Sequence, residues 1–129
     1  MDENYEEQKL ASFNAAMGVV ARTNRILDRC WMFREKLDAY LWYHSLKSLQ
    51  VECWPKMKKQ EQEHTDKLIN EIKPLINNWG RRSQQGFTGI PDNLYDSLDM
   101  LEKTLRTIAD KANMLIPNQT SVLEMMKNY

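Results

Sequence analysis

Residues 31–46 read WMFREKLDAYLWYHSL, and the architecture turns on whether this stretch is one helix or two. A surface helix of a globular protein buries a single apolar stripe, about three residues in seven. Here Trp31, Met32 and Phe33 are consecutive, and Tyr40, Leu41, Trp42 and Tyr43 follow them. Apolar side chains therefore point all round any helix built from the segment. Such a helix is either enclosed by its own chain or meets another molecule.

Upstream the pattern is regular. Leu10, Phe13, Met17, Val20, Asn24, Leu27 and Trp31 alternate steps of three and four, a seam of heptad type with Asn24 as its one polar member. The seam fails at Arg34 and Asp38. A second stripe runs through Cys30, Phe33, Leu37, Leu41 and His44, and a third through Trp42, Leu46, Leu49 and Cys53. No Pro or Gly separates them, so the first helix is long and is either kinked or broken near residues 28–36 or continuous with a change of packing partners. A continuous helix over residues 8–53 would measure about 69 Å, against about 36–39 Å for the helices that follow. Part of it would then lie uncovered, where the aromatic residues are. A break would instead place Trp31 and Trp42 in the ordinary core of a compact five-helix domain.

Downstream, Pro55 closes this segment. A second helix fits residues 56–79, with Met57, His64, Leu68, Ile72, Leu75 and Trp79 on its core face, and Pro74 should kink it or end it early. A flexible, glycine-flanked loop is expected over residues 80–90. Pro91 opens a third helix, antiparallel to the second, with a seam of Leu94, Leu98, Leu101, Leu105, Ile108, Ala112 and Leu115. Asp99–Lys103 and Glu102–Arg106 are spaced as surface i,i+4 pairs. Ser121-Val-Leu-Glu124 is a capping-box sequence that starts a short C-terminal helix. Four Gly, four Pro and eight Met in 129 residues argue against a turn-rich β protein. The expectation is a single all-α domain over residues 1–129, a helical bundle with residues 1–7 as a disordered acidic tail.

Composition narrows the function classes. The longest apolar run, Ala15 to Ala21, is far short of a membrane span. The acidic N-terminus does not read as a secretory signal, and Cys30 and Cys53 have no metal-ligand or C-x-x-C spacing. The expectation is a soluble, intracellular, cytoplasmic protein that does not engage membranes. Glu61-Gln-Glu63-His64 contains one Glu-x-x-His step, but the second such step that a di-iron bundle needs is missing. No metal, no cofactor and no catalytic residue set is expected, and the chain does not read as an enzyme.

Charge supplies the remaining signal. The 18 Lys/Arg and 18 Asp/Glu cancel, yet residues 18–59 hold nine basic against four acidic residues, and residues 1–17 hold only Lys9 against Asp2, Glu3, Glu6 and Glu7. On a continuous helix, Arg22, Arg25, Arg29, Lys36, Tyr40, Tyr43 and Lys47 would share one outward face free of acids, with Arg81 and Arg82 extending it. Two expectations follow. One is an assembly or adaptor protein whose partner is another protein or a second copy in a homo-oligomer, met through Trp31, Phe33, Tyr40, Trp42 and Tyr43. The alternative is binding of nucleic-acid backbone, with the basic residues on phosphates and Tyr40 and Tyr43 stacking on bases.

Overall fold

The computed structural model describes the backbone of residues 3–84 and 89–115 and the side chains of residues 18–83 and 89–115. These residues form an all-α bundle: α1 (Glu3–Glu35), α2 (Ala39–Cys53), a 3-10 turn (Trp54–Lys56), α3 (Lys59–Gln84) and α4 (Asp92–Lys111). The capping-box sequence at residues 121–124 lies outside the described residues.

The first helix is broken, at residues 36–38. Leu37 adopts a left-handed backbone with φ of 55°. Its N–H donates to the Arg34 carbonyl (3.1 Å), and the Asp38 N–H donates to the Phe33 carbonyl (2.9 Å). These two bonds are the Schellman closure of a helix C-terminus. Asp38 then caps the next helix, its Oδ1 accepting the Leu41 N–H at 3.0 Å. Three residues thus end one helix, reverse the chain and start another. The continuous rod over residues 8–53 is corrected to an antiparallel hairpin.

Three further expectations change. α1 starts at Glu3, so residues 3–7 belong to the helix rather than to a disordered tail. α3 runs through Pro74 to Gln84 without a break, which shortens the expected loop at 80–90. Pro74 and Asn70 are both exposed, so the Asn70 carbonyl that loses its i+4 donor meets water and the helix tolerates the proline. The core face of α3 is also rotated: Thr65, Leu68, Ile69, Ile72 and Ile76 are buried, while His64 is exposed. Thr65 can be buried because its hydroxyl donates to the Glu61 carbonyl (3.0 Å) and accepts from Gln50 Nε2 (3.1 Å).

α1 packs along α2, α2 on both α3 and α4, and α3 on α4. Trp42, Leu46 and Leu49 of α2 and Leu98, Leu101 and Leu105 of α4 are completely buried at the centre, each contributing about 1.5–3 kcal/mol relative to exposure. Asn24 carries out the polar exception in the α1 seam by donating to the carbonyls of Val20 (2.7 Å) and Met114 (3.4 Å). α4 ends as α1 does, with Asn113 left-handed (φ 57°) and the Met114 N–H closing back on the Ala109 carbonyl at 2.9 Å.

Helix lengths and pairings set one more feature. α1 has 33 residues and α2 has 15, so α2 can run beside only half of it. Arg22 of α1 meets Glu52 at the last turn of α2 (2.9 Å), and Asn24 meets Met114 just past α4. α3 begins beside the end of α2, where Gln50 reaches Thr65 and Asp66. The ends of α2 and α4 therefore fall near residues 22–24 of α1. Residues 3–16 continue past that level as an arm of about 21 Å.

Candidate interaction surface

Splitting the first segment into a hairpin redistributes its aromatic residues. Trp42 is completely buried and Tyr43 is 5% exposed; burial raises the Tyr43 phenol above its ordinary pKa. Phe33 is half-buried against the core. Trp31 and Tyr40 remain outside, 58% and 51% exposed, with the Tyr40 ring edge-on to His44 at 4.4 Å. Of the five residues expected at a partner interface, Trp42 and Tyr43 are thus core residues, because α2 turns back and presents them to α3 and α4.

Three residues that the sequence reading did not single out join the exposed pair. Met32, Leu37 and Leu41 are each at least 40% exposed. Together with Trp31 and Tyr40 they occupy the end of the hairpin, within two helical turns of the bend. Leu37 is the informative member. Its left-handed backbone is the conformation that favours glycine, yet it carries a large apolar side chain half in water.

The basic stripe does not survive as a line. Its α1 part, Arg22, Arg25, Arg29 and Lys36, now points along a helix antiparallel to the one that carries Tyr40, Tyr43 and Lys47. Arg22 is held by Glu52, and Lys47 sits over the Tyr43 ring at 5.4 Å. Arg25, Arg29 and Lys36 are exposed and form no ion pair among the described residues. They follow one outer line of α1 that runs into the apolar end of the hairpin. Arg81 and Arg82 are exposed in the last turn of α3, on a separate element.

Beneath the hairpin end lies a polar network. Trp42 Nε1 donates to Glu102 Oε1 (2.9 Å) and Arg34 Nη2 reaches Glu102 Oε2 (3.2 Å). The same guanidinium nitrogen pairs with Asp99 and the group lies over the Trp42 ring, 4.7 Å from its centroid. Lys103 pairs with Asp99 at 2.9 Å, the i,i+4 contact expected from spacing. Glu102 turns inward instead of pairing with Arg106, because the buried indole and guanidinium give it two contacts that the surface does not. The Lys103 hydrogen bond, opposed by partial burial and helped by the Arg34 charge, holds the Asp99 carboxyl below its ordinary value. This network ties α1, α2 and α4 together under the exposed end.

Other chemistry-bearing groups are dispersed. Burial pushes the Cys30 thiol up to about 12 and the Cys53 thiol up to about 11, which makes both poor nucleophiles. His64 lines a shallow open groove between α3 and α4 with Glu61, Lys103, Thr107 and Lys111. Among the described residues no three His, Cys, Asp or Glu side chains converge as metal ligands, and no helix is long and apolar enough to cross a membrane. Comparison of the chain with family models, curated proteins and solved structures finds no match.

Proposed function

We propose that this chain is a non-catalytic helical assembly protein that self-associates, or docks on a larger complex, through the end of its α1–α2 hairpin. The observation that carries the reading is the group Trp31, Met32, Leu37, Tyr40 and Leu41. Large apolar side chains, 40–58% exposed, gather within eleven residues of chain. Scattered exposed apolar residues need no explanation, whereas a contiguous group on a soluble surface is normally an interface. The rigid network of Arg34, Glu102 and Trp42 beneath supports the reading, since a preorganised surface loses less entropy on binding.

The test uses Tyr40→Ser with Leu41→Ser. Both side chains are exposed, so thermal stability should stay within a few degrees of the parent. Association, followed by sedimentation across a concentration series and by cross-linking of the purified chain, should weaken at least tenfold. Unchanged association in a folded double variant would remove the hairpin end as the interface.

Nucleic-acid binding is the second reading, and one observation favours it: Arg25, Arg29 and Lys36 share an exposed line on α1. Loss of Tyr43 to the core and of Arg22 to Glu52 leaves it with fewer groups than a continuous stripe would supply.

A further inference from the structure

The outer side of α1 sorts its charges by sign. Two contacts mark the borders of that side: Arg22 meets Glu52 of α2 at 2.9 Å, and Asn24 meets the Met114 carbonyl just past α4 at 3.4 Å. At about 100° per residue, the residues between these borders fall in the order Glu35, Asp28, Met32, Arg25, Lys36, Arg29, from the α4 edge to the α2 edge. Lys36 belongs to the series because its N–H still donates to the Met32 carbonyl at 3.0 Å, one helical turn back. All six are exposed, and the five charged ones form no ion pair among the described residues. Both acids therefore lie along the α4 edge and all three cations along the α2 edge, with Met32, 40% exposed, between them. Each edge also carries an exposed apolar group. Trp31 lies beside the line of Asn24 at the α4 edge, and Leu41 of α2 shares the line of Glu52 at the α2 edge.

We propose that the partner is a second copy of this chain, related by a two-fold axis that runs along α1, so that two α1 helices lie parallel with Met32 against Met32. The proposal rests on the assembly reading above and names its occupant. The sign pattern selects a second copy, because a face with acids on one edge and cations on the other is its own complement. It also selects the direction. A two-fold axis along the helices sets the cationic edge of each copy on the acidic edge of the other. Arg29 then meets Asp28 of the second copy and Lys36 meets its Glu35, each twice. The members of each pair are consecutive in sequence, so they stand at nearly the same height on parallel helices. An axis across the helices would instead pair antiparallel copies edge to like edge, cation on cation. The parallel arrangement also turns Leu41 of one copy toward Trp31 of the other and brings both hairpin ends to one end of the assembly. Because the same face serves both copies, the contact is isologous and closes at a dimer. Exposed charges along its edges make it sensitive to salt.

The experiment is sedimentation of the full chain over a concentration series at about 0.05 M and about 0.5 M salt, with charge-reversed variants. The parent should reach dimer mass and no higher, and associate more weakly at the higher salt. Arg29→Glu with Lys36→Glu should weaken association at least tenfold, as should Asp28→Lys with Glu35→Lys. Mixing the two variants, or placing all four changes in one chain, should restore it, since opposite edges then meet again. All four side chains are exposed, and far-UV circular dichroism establishes that every variant is folded. Direction is read from single cysteines. After mild oxidation Arg25→Cys and Met32→Cys should each give a disulfide-linked dimer, the native Cys30 and Cys53 being buried. A link at residue 32 without one at residue 25 would overturn the parallel arrangement. Association that resists both charge reversals but is lost on Tyr40→Ser with Leu41→Ser would overturn the edge pairing and leave the assembly reading standing. A single-chain mass for the parent at every concentration would overturn the two-fold pair altogether; the broader reading would then rest on a foreign partner alone.

Discussion

Trp42 donates to one oxygen of Glu102 and Arg34 approaches the other, so a single carboxylate on α4 joins side chains from α1 and α2. Glu102 is 4% exposed, and an ionised carboxylate there depends on Arg34 for its charge balance. The side chain of Arg34 is itself only 18% exposed. Removing one partner of such a pair leaves an uncompensated buried charge, which costs about 3–5 kcal/mol, whereas replacing both is far less damaging. Arg34→Met is expected to lose about 3 kcal/mol, at the lower end because the guanidinium is partly hydrated. Adding Glu102→Gln keeps an acceptor for the Trp42 N–H and removes the stranded charge, so the double variant should recover more than half of that loss. Urea unfolding of the parent and both variants measures this directly. A double variant no more stable than Arg34→Met would mean that Arg34 supports the fold by packing on Trp42 rather than by balancing Glu102.

At the scale of elements, the turn between α1 and α2 decides what the chain exposes. Leu37 in a left-handed conformation costs roughly 1–2 kcal/mol relative to an ordinary backbone, and the larger chain entropy of glycine offsets part of the relief on Leu37→Gly. A net gain of about 0.5–1 kcal/mol is expected, visible as a rise of about 2–5 °C in melting temperature. If the hairpin end is the interface, the same variant should associate more weakly while melting higher. A lower melting temperature would show that Leu37 earns its position by packing within its own chain. This turn also marks the limit of what could be read beforehand. The seam of α4 was legible from Leu94 to Ile108, because an amphipathic helix against a single core writes its burial into three-four spacing. The break at residues 36–38 contains neither Gly nor Pro, and its one signal was Asp38, an N-cap type three residues before Leu41. Reading through it kept Tyr40, Tyr43 and Lys47 on a line with Arg25 and Arg29, and set Trp42 and Tyr43 outside. Tyr40 was legible as exposed, whereas Trp31 was an interface candidate whose spacing also put it in the α1 seam; Met32, Leu37 and Leu41 were not legible, because their exposure follows from where the chain reverses. His64 was misplaced by a smaller error, a single-residue rotation that only the satisfied hydroxyl of Thr65 makes possible.

Viewed whole, the molecule has zero formal charge with its acidic and basic excesses in different segments, and that arrangement bears on nucleic acid as well as on self-association. A surface that tracks a nucleic-acid strand needs a run of cations, and each neutralised phosphate of a single strand contributes about −0.7 to the slope of log K against log salt. A continuous stripe of five cations with two stacking tyrosines would give a slope steeper than about −3 and additional stacking energy of about 1–3 kcal/mol per base. The hairpin leaves Arg25, Arg29 and Lys36 on one line, with Tyr43 inside the core. Three phosphate contacts correspond to a slope near −2, and of the two tyrosines of the stripe Tyr40 remains exposed for stacking. Fluorescence anisotropy of a labelled single-stranded oligonucleotide, titrated at several salt concentrations, is expected to show weak binding with that shallow slope. Arg25→Glu with Arg29→Glu should abolish it. A slope steeper than about −3 would require cations from α2 or from the end of α3 to act together with those of α1. It would make a nucleic-acid strand, rather than a second copy, the ligand that gathers these separated charges.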